Sequence, residues 1–188
     1  MKIGVLAVQG DFAAHARMLN RIGVEAIELR RANELDDIDG LIIPGGESTT
    51  MLKFVEEEAL GEAIKSFAAS ARPILATCAG AILVACEVSN PPQASLGLID
   101  IAVARNAYGR QLDSFISAVD TTLAGGPLEA VFIRAPKITR VGDTVTTIAT
   151  LKGEPVMVRQ GNVVAATFHP ELTDDDRAHR LLIELAND

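Results

Sequence analysis

The first half of the chain alternates short apolar runs with amphipathic stretches. Ile3-Gly4-Val5-Leu6-Ala7-Val8 is apolar without alternation, as expected for a strand buried on both faces of a sheet. Asp11 can cap a helix that carries Phe12, Ala16, Leu19 and Ile22 at helical spacing and stops at Gly23. Residues 24–29 and 40–43 read as the second and third strands, the latter ended by Pro44-Gly45-Gly46. Ser48 and Thr49 offer caps for helical turns from about Thr50, and residues 60–69 read as a further helix. Residues 73–76 are a fourth strand, followed at once by a helix of small residues over 79–86.

This alternation with short connections predicts an α/β fold: a mostly parallel, flavodoxin-like three-layer sheet with helices on both faces. The second half changes character. Residues 98–104, 114–119, 130–133, 144–150, 155–159 and 163–168 read as short strands, and the last pair as a hairpin through Gly161-Asn162. A final helix is expected from about Asp174 to Leu185, with Asp174, Asp175 and Asp176 in its first turn. No linker or repeat interrupts the pattern. Residues 1–188 therefore read as one α/β domain with an antiparallel extension.

Composition narrows the classes of function. Of the 188 residues, 48% are hydrophobic and 22% charged, which excludes disorder as the overall state. Lys and Arg number 17 against 25 Asp and Glu, a net charge of −8, so a polyanion such as nucleic acid is a poor main ligand. Six Phe, one Tyr and no Trp leave little for base stacking. Mean hydropathy is +0.25. The strongest candidate for a membrane span, residues 73–86, falls short of the roughly 20 apolar residues a span needs and contains Pro73, Thr77 and Gly80. The apolar run at residues 3–8 is too short for a signal peptide, and with only two Cys the expected setting is a reducing cytoplasm. Cys78 and Cys86 lack the spaced companions of a zinc site, so neither metal nor cofactor is expected.

Three strand ends carry residues suited to one chemistry. Cys78 follows a buried strand and precedes a helix, the arrangement of a nucleophile elbow, with small neighbours Ala76, Ala79 and Gly80 that relieve a crowded turn. A helix N-terminus favours the thiolate, the reactive form. A lone Cys is more often an inert core thiol, which is the reading for Cys86 within the same helix. His169 in Phe168-His169-Pro170-Glu171 suits a base, with Glu171 as its orienting carboxylate. Taken alone, such a segment is more often a turn with a satisfied His; His15 and His179 fall on helices where solvated faces explain them. Gly45-Gly46 can turn backbone N–H groups toward an oxyanion, although a plain turn has the same composition.

The motifs Pro44-Gly45-Gly46-Glu47-Ser48-Thr49, Thr77-Cys78-Ala79-Gly80 and Phe168-His169-Pro170-Glu171 resemble those of the class I, triad-type glutamine amidotransferases. Leu6-Ala7-Val8-Gln9-Gly10, the segment Arg105 to Gln111, Asp113-Ser114-Phe115 and Val131-Phe132-Ile133-Arg134-Ala135-Pro136 are similar to the glutaminase subunits of pyridoxal 5′-phosphate synthases. The chain departs from that pattern at Ala76, Ala81 and Ile116, none of them a catalytic position. The resemblance implies a single class I amidotransferase domain over 1–188. It also implies Cys78 as nucleophile, His169 as base, Glu171 as its partner, and oxyanion donors at Gly46 and Ala79. Glutamine contacts are implied from Gly46, Glu47, Ser48, Arg105, Ile133 and Arg134. The implied partner is a separate (β/α)₈ synthase subunit that receives ammonia and makes the vitamin B6 cofactor; Gln9 and the first helix are candidates for the docking face. Three rivals stand beside it: an amidotransferase subunit of another pathway, a flavodoxin-like cysteine hydrolase, and a binding module on the same fold.

Overall fold

In the computed structural model, residues 1–106 and 114–187 are described. The first half contains β1 (Lys2–Leu6), α1 (Phe12–Arg21), β2 (Glu25–Leu29), β3 (Gly40–Ile43), α2 (Ser48–Glu57), α3 (Leu60–Ala69), β4 (Ile74–Thr77) and α4 (Ala79–Val84). Then follow β5 (Ala85–Ser89), β6 (Ile99–Ala104), β7 (Ser114–Thr121), β8 (Leu128–Ile133), β9 (Lys137–Val141), β10 (Thr146–Leu151), β11 (Glu154–Gln160), β12 (Val163–Ala166) and α5 (Arg177–Asn187). The main sheet runs β2-β1-β3-β4-β12-β11-β10-β7-β8, and β5-β6-β9 form a second, three-stranded sheet. The first five strands of the main sheet are parallel, in the order of a flavodoxin-like fold. From β11 onward the pairing is antiparallel, the extension expected from the second half.

The continuous apolar runs are explained by burial on both faces. Leu41, Ile43, Ile74, Ala76, Val163 and Ala165 face the layer of α2, α3 and α4. Ile42, Leu75, Val164 and Ala166 face α1 and α5. Each fully buried Leu or Ile contributes roughly 1.5–3 kcal/mol through removal from water. The period-2 alternation also sends the Thr77 side chain, two residues after Leu75, toward α1 and α5.

Several element boundaries differ from the sequence expectation. The helix after Cys78 stops at Val84, and Cys86 lies exposed on β5 rather than in an apolar helix. Pairing with β6 outweighs the helix propensity of the small residues there. Strand β9 has exposed residues on both faces, Thr139 and Arg140, and no apolar alternation, and the sequence did not mark it. Helix α5 begins at Arg177, so Asp174, Asp175 and Asp176 precede it. Asp175 there accepts from the Arg177 backbone N–H at 3.2 Å, and Asp176 pairs with Arg180. No helix among the described residues is long and apolar enough to cross a membrane.

Candidate active site

The site gathers at the carboxyl ends of β3, β4 and β12. Cys78 occupies the turn between β4 and α4 with φ +48° and ψ −105°. A non-glycine residue there carries backbone strain of about 1–3 kcal/mol, and surrounding structure must hold it. The parallel ladder does so: the Cys78 N–H donates to the Ala166 carbonyl at 2.8 Å. Gly80 completes the elbow, because a Cβ there would stand 2.2 Å from the Ile43 carbonyl oxygen. The Cys78 thiol is buried beneath the site and reaches the Ile133 carbonyl at 3.9 Å.

His169 leaves β12 one strand away, and its backbone N–H donates to the Val131 carbonyl at 2.8 Å. Pro170 starts a 3-10 turn, Pro170–Leu172, that folds Glu171 back beneath the imidazole. Nδ1 of His169 stands 2.7 Å from Glu171 Oε1. Burial alone would lower the His169 pKa; hydrogen bonds and charge from Cys78 and Glu171 overcome it and raise the value to about 10. The Cys78 and Glu171 side chains therefore both favour the charged form of the ring. Asp11, placed in sequence as a cap of α1, makes no side-chain cap; its Oδ2 lies 3.6 Å from His169 Nδ1.

The glycine loop closes the third side. A Cβ on Gly45 would stand 2.3 Å from His169 Cε1 and 3.1 Å from Cys78 Cβ, so the loop rests directly on the pair. Gln9 Oε1 accepts from the Glu47 backbone N–H at 2.7 Å. This buttress ties the loop to the end of β1, whereas the sequence marked Gln9 only for docking. Glu47, rather than Ser48 or Thr49, caps α2, accepting from the Thr49 and Thr50 N–H groups at 3.1 and 2.8 Å. Burial opposes ionisation of Glu47, but these donors and the two hydroxyls hold its pKa down at about 2.

A pocket of about 100 Å³ opens beside Cys78. Gly46, Glu47, Ser48, Ala79, Arg105, Ile133 and Arg134 line it together, so each residue named from the sequence for substrate or oxyanion contact borders one cavity. Ile82, Asn106 and Pro136 complete the wall; Asn106 and Pro136 belong to the segments that carry the resemblance but had no role assigned, and Ile82 was unmarked. Arg105 donates to Thr49 Oγ1 at 3.1 Å and lies 3.6 Å from Glu47 Oε1. Arg134 has φ +43° and borders the same pocket. The positions at 107–113, which carry part of the motif from Arg105 to Gln111 and Asp113, lie outside the described residues. A larger cleft of about 370 Å³ lies behind Glu171 along α1, and Cys78 is not on it.

The reading of His15 and His179 as solvated is corrected: both are 0% exposed. His15 Nδ1 lies 2.9 Å from His179 Nε2, and His15 Nε2 lies 3.2 Å from Glu171 Oε2. The signal was present, since His15 stands three residues after Phe12 and four before Leu19, on the apolar stripe of its helix. Asp11, His169 and Glu171 also cluster closely enough to hold a cation. The imidazole and Glu171, however, are engaged with each other.

A family model described as the SNO glutamine amidotransferase family matches residues 5–187. The chain is 50% identical over 185 residues to the pyridoxal 5′-phosphate synthase subunit PdxT of Koribacter versatilis, covering 98% of this chain and 95% of that one. It is 48% identical over 186 residues to the protein of the same description from Thermotoga maritima, covering 98% and 99%. A solved structure described as a glutamine amidotransferase superposes with a TM-score of 0.93 at 44% identity, covering 99% of both chains. The structure of PurLQS from Thermotoga maritima, 16% identical with a TM-score of 0.72, shares the fold, covering 99% of this chain and 96% of its own.

Proposed function

We propose that this chain, which belongs to the SNO glutamine amidotransferase family, is the glutaminase of a two-subunit enzyme. It hydrolyses L-glutamine to L-glutamate and ammonia, and delivers the ammonia to a separate synthase subunit that makes pyridoxal 5′-phosphate. The observation that carries the hydrolysis is the pocket bordered by Cys78, Arg105 and Arg134, with His169 and Glu171 paired at 2.7 Å behind the nucleophile. Two guanidinium groups suit the α-carboxylate of an amino acid, which they match with paired hydrogen bonds. The partner rests on the relatives of about 50% identity, which are described as subunits of pyridoxal 5′-phosphate synthase. A reduced thiol nucleophile suits a cytoplasmic setting.

The steps follow from the roles. The Cys78 sulfur attacks the side-chain carbonyl carbon of glutamine, and the carbonyl electrons move onto oxygen. The N–H groups of Gly46 and Ala79 are the candidate donors to that oxyanion. As the tetrahedral adduct collapses, the C–N bond breaks and the His169 imidazolium gives its proton to the departing nitrogen, releasing ammonia. Neutral His169 then takes a proton from water, whose oxygen attacks the thioester carbon. Collapse releases glutamate, and the thiolate and imidazolium are restored. Glu171 keeps the ring in one orientation throughout.

The test is glutamate release by the pure chain, with and without a pyridoxal 5′-phosphate synthase subunit, beside Cys78→Ala. Release that rises with the synthase and vanishes in the variant supports both parts. Release indifferent to the synthase overturns the partner, and no release in either condition overturns the glutaminase.

A further inference from the structure

Behind Cys78, His169 and Glu171 lie two histidines that the hydrolysis steps leave unused. His15 comes from α1 and His179 from α5, and both are completely buried. His15 touches both halves of the site. Its Nε2 lies 3.1 Å from Oγ1 of Thr77, the residue before the nucleophile, and 3.2 Å from Oε2 of Glu171. Its Nδ1 lies 2.9 Å from His179 Nε2. The other Glu171 oxygen, Oε1, is the one that holds His169.

Two buried atoms are left without an aligned hydrogen-bond partner, Glu171 Oε2 and His179 Nδ1, and they decide between the tautomers. If His15 carries its proton on Nδ1, it donates to His179. His179 must then bury an N–H at Nδ1 with no acceptor, and the bare Nε2 of His15 faces a carboxylate oxygen. If His15 carries it on Nε2, that N–H lies between Thr77 Oγ1 and Glu171 Oε2. His179 then donates from Nε2 to His15, and its Nδ1 is a bare lone pair. The second arrangement avoids a buried orphan donor and two opposed acceptors, each of which costs about 1–3 kcal/mol. It requires both rings to be neutral. Burial is the largest influence on both, holding His15 well below 6.5 and His179 at about 4. The charges around the pair work in both directions: His179 and His169 lower His15, while Asp176 raises and Arg21 lowers His179.

We propose that His15, fixed by His179, is a positioning residue for glutamine hydrolysis: its Nε2–H bonds Thr77 Oγ1 and stands 3.2 Å from Glu171 Oε2, and this contact keeps the His169–Glu171 pair in register with the Cys78 elbow. The proposal rests on the glutaminase reading above. Glu171 is hydrogen-bonded through one oxygen and could pivot; the 3.2 Å contact of its second oxygen with the His15 N–H dipole resists that pivot and steadies the imidazole it orients. A displacement of about 1 Å at a reacting group costs roughly 100-fold in rate. A merely space-filling histidine would be replaced by an apolar side chain without that loss.

The experiment compares the full chain with His15→Leu and His15→Gln, each assayed for glutamate release with the synthase subunit present. Leu fills the space without a donor, and the Gln amide restores an N–H near the Nε2 position. The expected result is a kcat lower by roughly 10- to 100-fold in His15→Leu. KM should stay within about threefold, because ground-state binding is untouched. His15→Gln should recover at least about tenfold of the loss. Equal losses in the two variants, or a loss confined to KM, overturn the proposal. Because a buried substitution can unfold the chain, imidazole ¹⁵N shifts of the unaltered protein provide a second reading. His15 protonated at Nε2 with Nδ1 bare is expected, and the opposite tautomer overturns the proposal. Absence of glutamate release by the unaltered chain with its synthase would instead sink the glutaminase reading, and the tautomer would still decide the hydrogen-bond wiring.

Discussion

Replacing Gly45 with alanine tests the geometry of the site with one methyl group. The added Cβ would fall 2.3 Å from His169 Cε1, 3.0 Å from its Nδ1 and 3.1 Å from Cys78 Cβ, whereas ordinary contact begins near 3.4 Å. The imidazole is buried and held to Glu171 at 2.7 Å, so it cannot swing into solvent. Either the ring or the loop must retreat by about 1 Å, a misplacement that costs roughly 100-fold in rate. The thiol itself is chemically unaltered. The assay is steady-state glutamate release beside thermal unfolding: kcat should fall by about 100-fold, with a folded protein and an intact Cys78 thiol by mass spectrometry. A Gly45→Ala chain that turns over within about threefold of the parent would show that the loop does not press on the pair, and the reasoning from close approach would fail.

Other outcomes follow from the same structure. Glu47→Ala removes the cap of α2, which accepts from two backbone N–H groups; stability should fall by about 1 kcal/mol, read as a melting temperature lower by about 2–4 °C. Arg105→Ala removes a guanidinium from the pocket wall, so KM for glutamine should rise roughly 10- to 100-fold with little change in kcat. Stability should peak near pH 6.5, the ordinary His value. His15 and His179 have folded pKa values below 6.5, so below it the unfolded chain binds more protons and stability falls as pH drops toward about 4. His169, raised to about 10, stabilises fully below 6.5 and loses that contribution as pH rises through about 10. Denaturant midpoints across this range check the shape, and a midpoint that climbs steadily into alkali would refute it.

Much of the site was legible because its residues sit at strand ends. Uninterrupted short runs such as Leu41-Ile42-Ile43 and Ile74-Leu75-Ala76, bounded by Gly and Pro, fit strands covered on both faces, and the strand order then brings Gly46, Cys78 and His169 to one edge. The same double burial hid which side each residue faces, so the sequence could not show that Thr77 points at α1 and α5. Tertiary pairing set what local propensity could not. Ala85–Ser89 became a strand because β6 was there to receive it, and the half-exposed Lys137–Val141 joined the same sheet across Ala102 and Val103. His15 and His179 were read as solvated despite the apolar stripe that carries His15, because the polar partner that satisfies each ring lies 164 residues away along the chain. Glu47, implied by the resemblance as a glutamine contact, borders the pocket and also caps the N-terminus of α2, the role the sequence had offered to Ser48 and Thr49.

The central claim is that Cys78 attacks the side-chain carbonyl of glutamine. A diazoketone analogue of glutamine, which alkylates a nucleophile that has bound it as substrate, tests this most directly. After incubation with the full chain and its synthase subunit, peptide mass spectrometry should find one adduct, on Cys78, and excess glutamine should protect against it. The exposed thiol of Cys86 serves as the internal control for simple chemical reactivity. Labelling of Cys86 in place of Cys78, or continued glutamate release from a chain fully labelled at Cys78, would contradict the account.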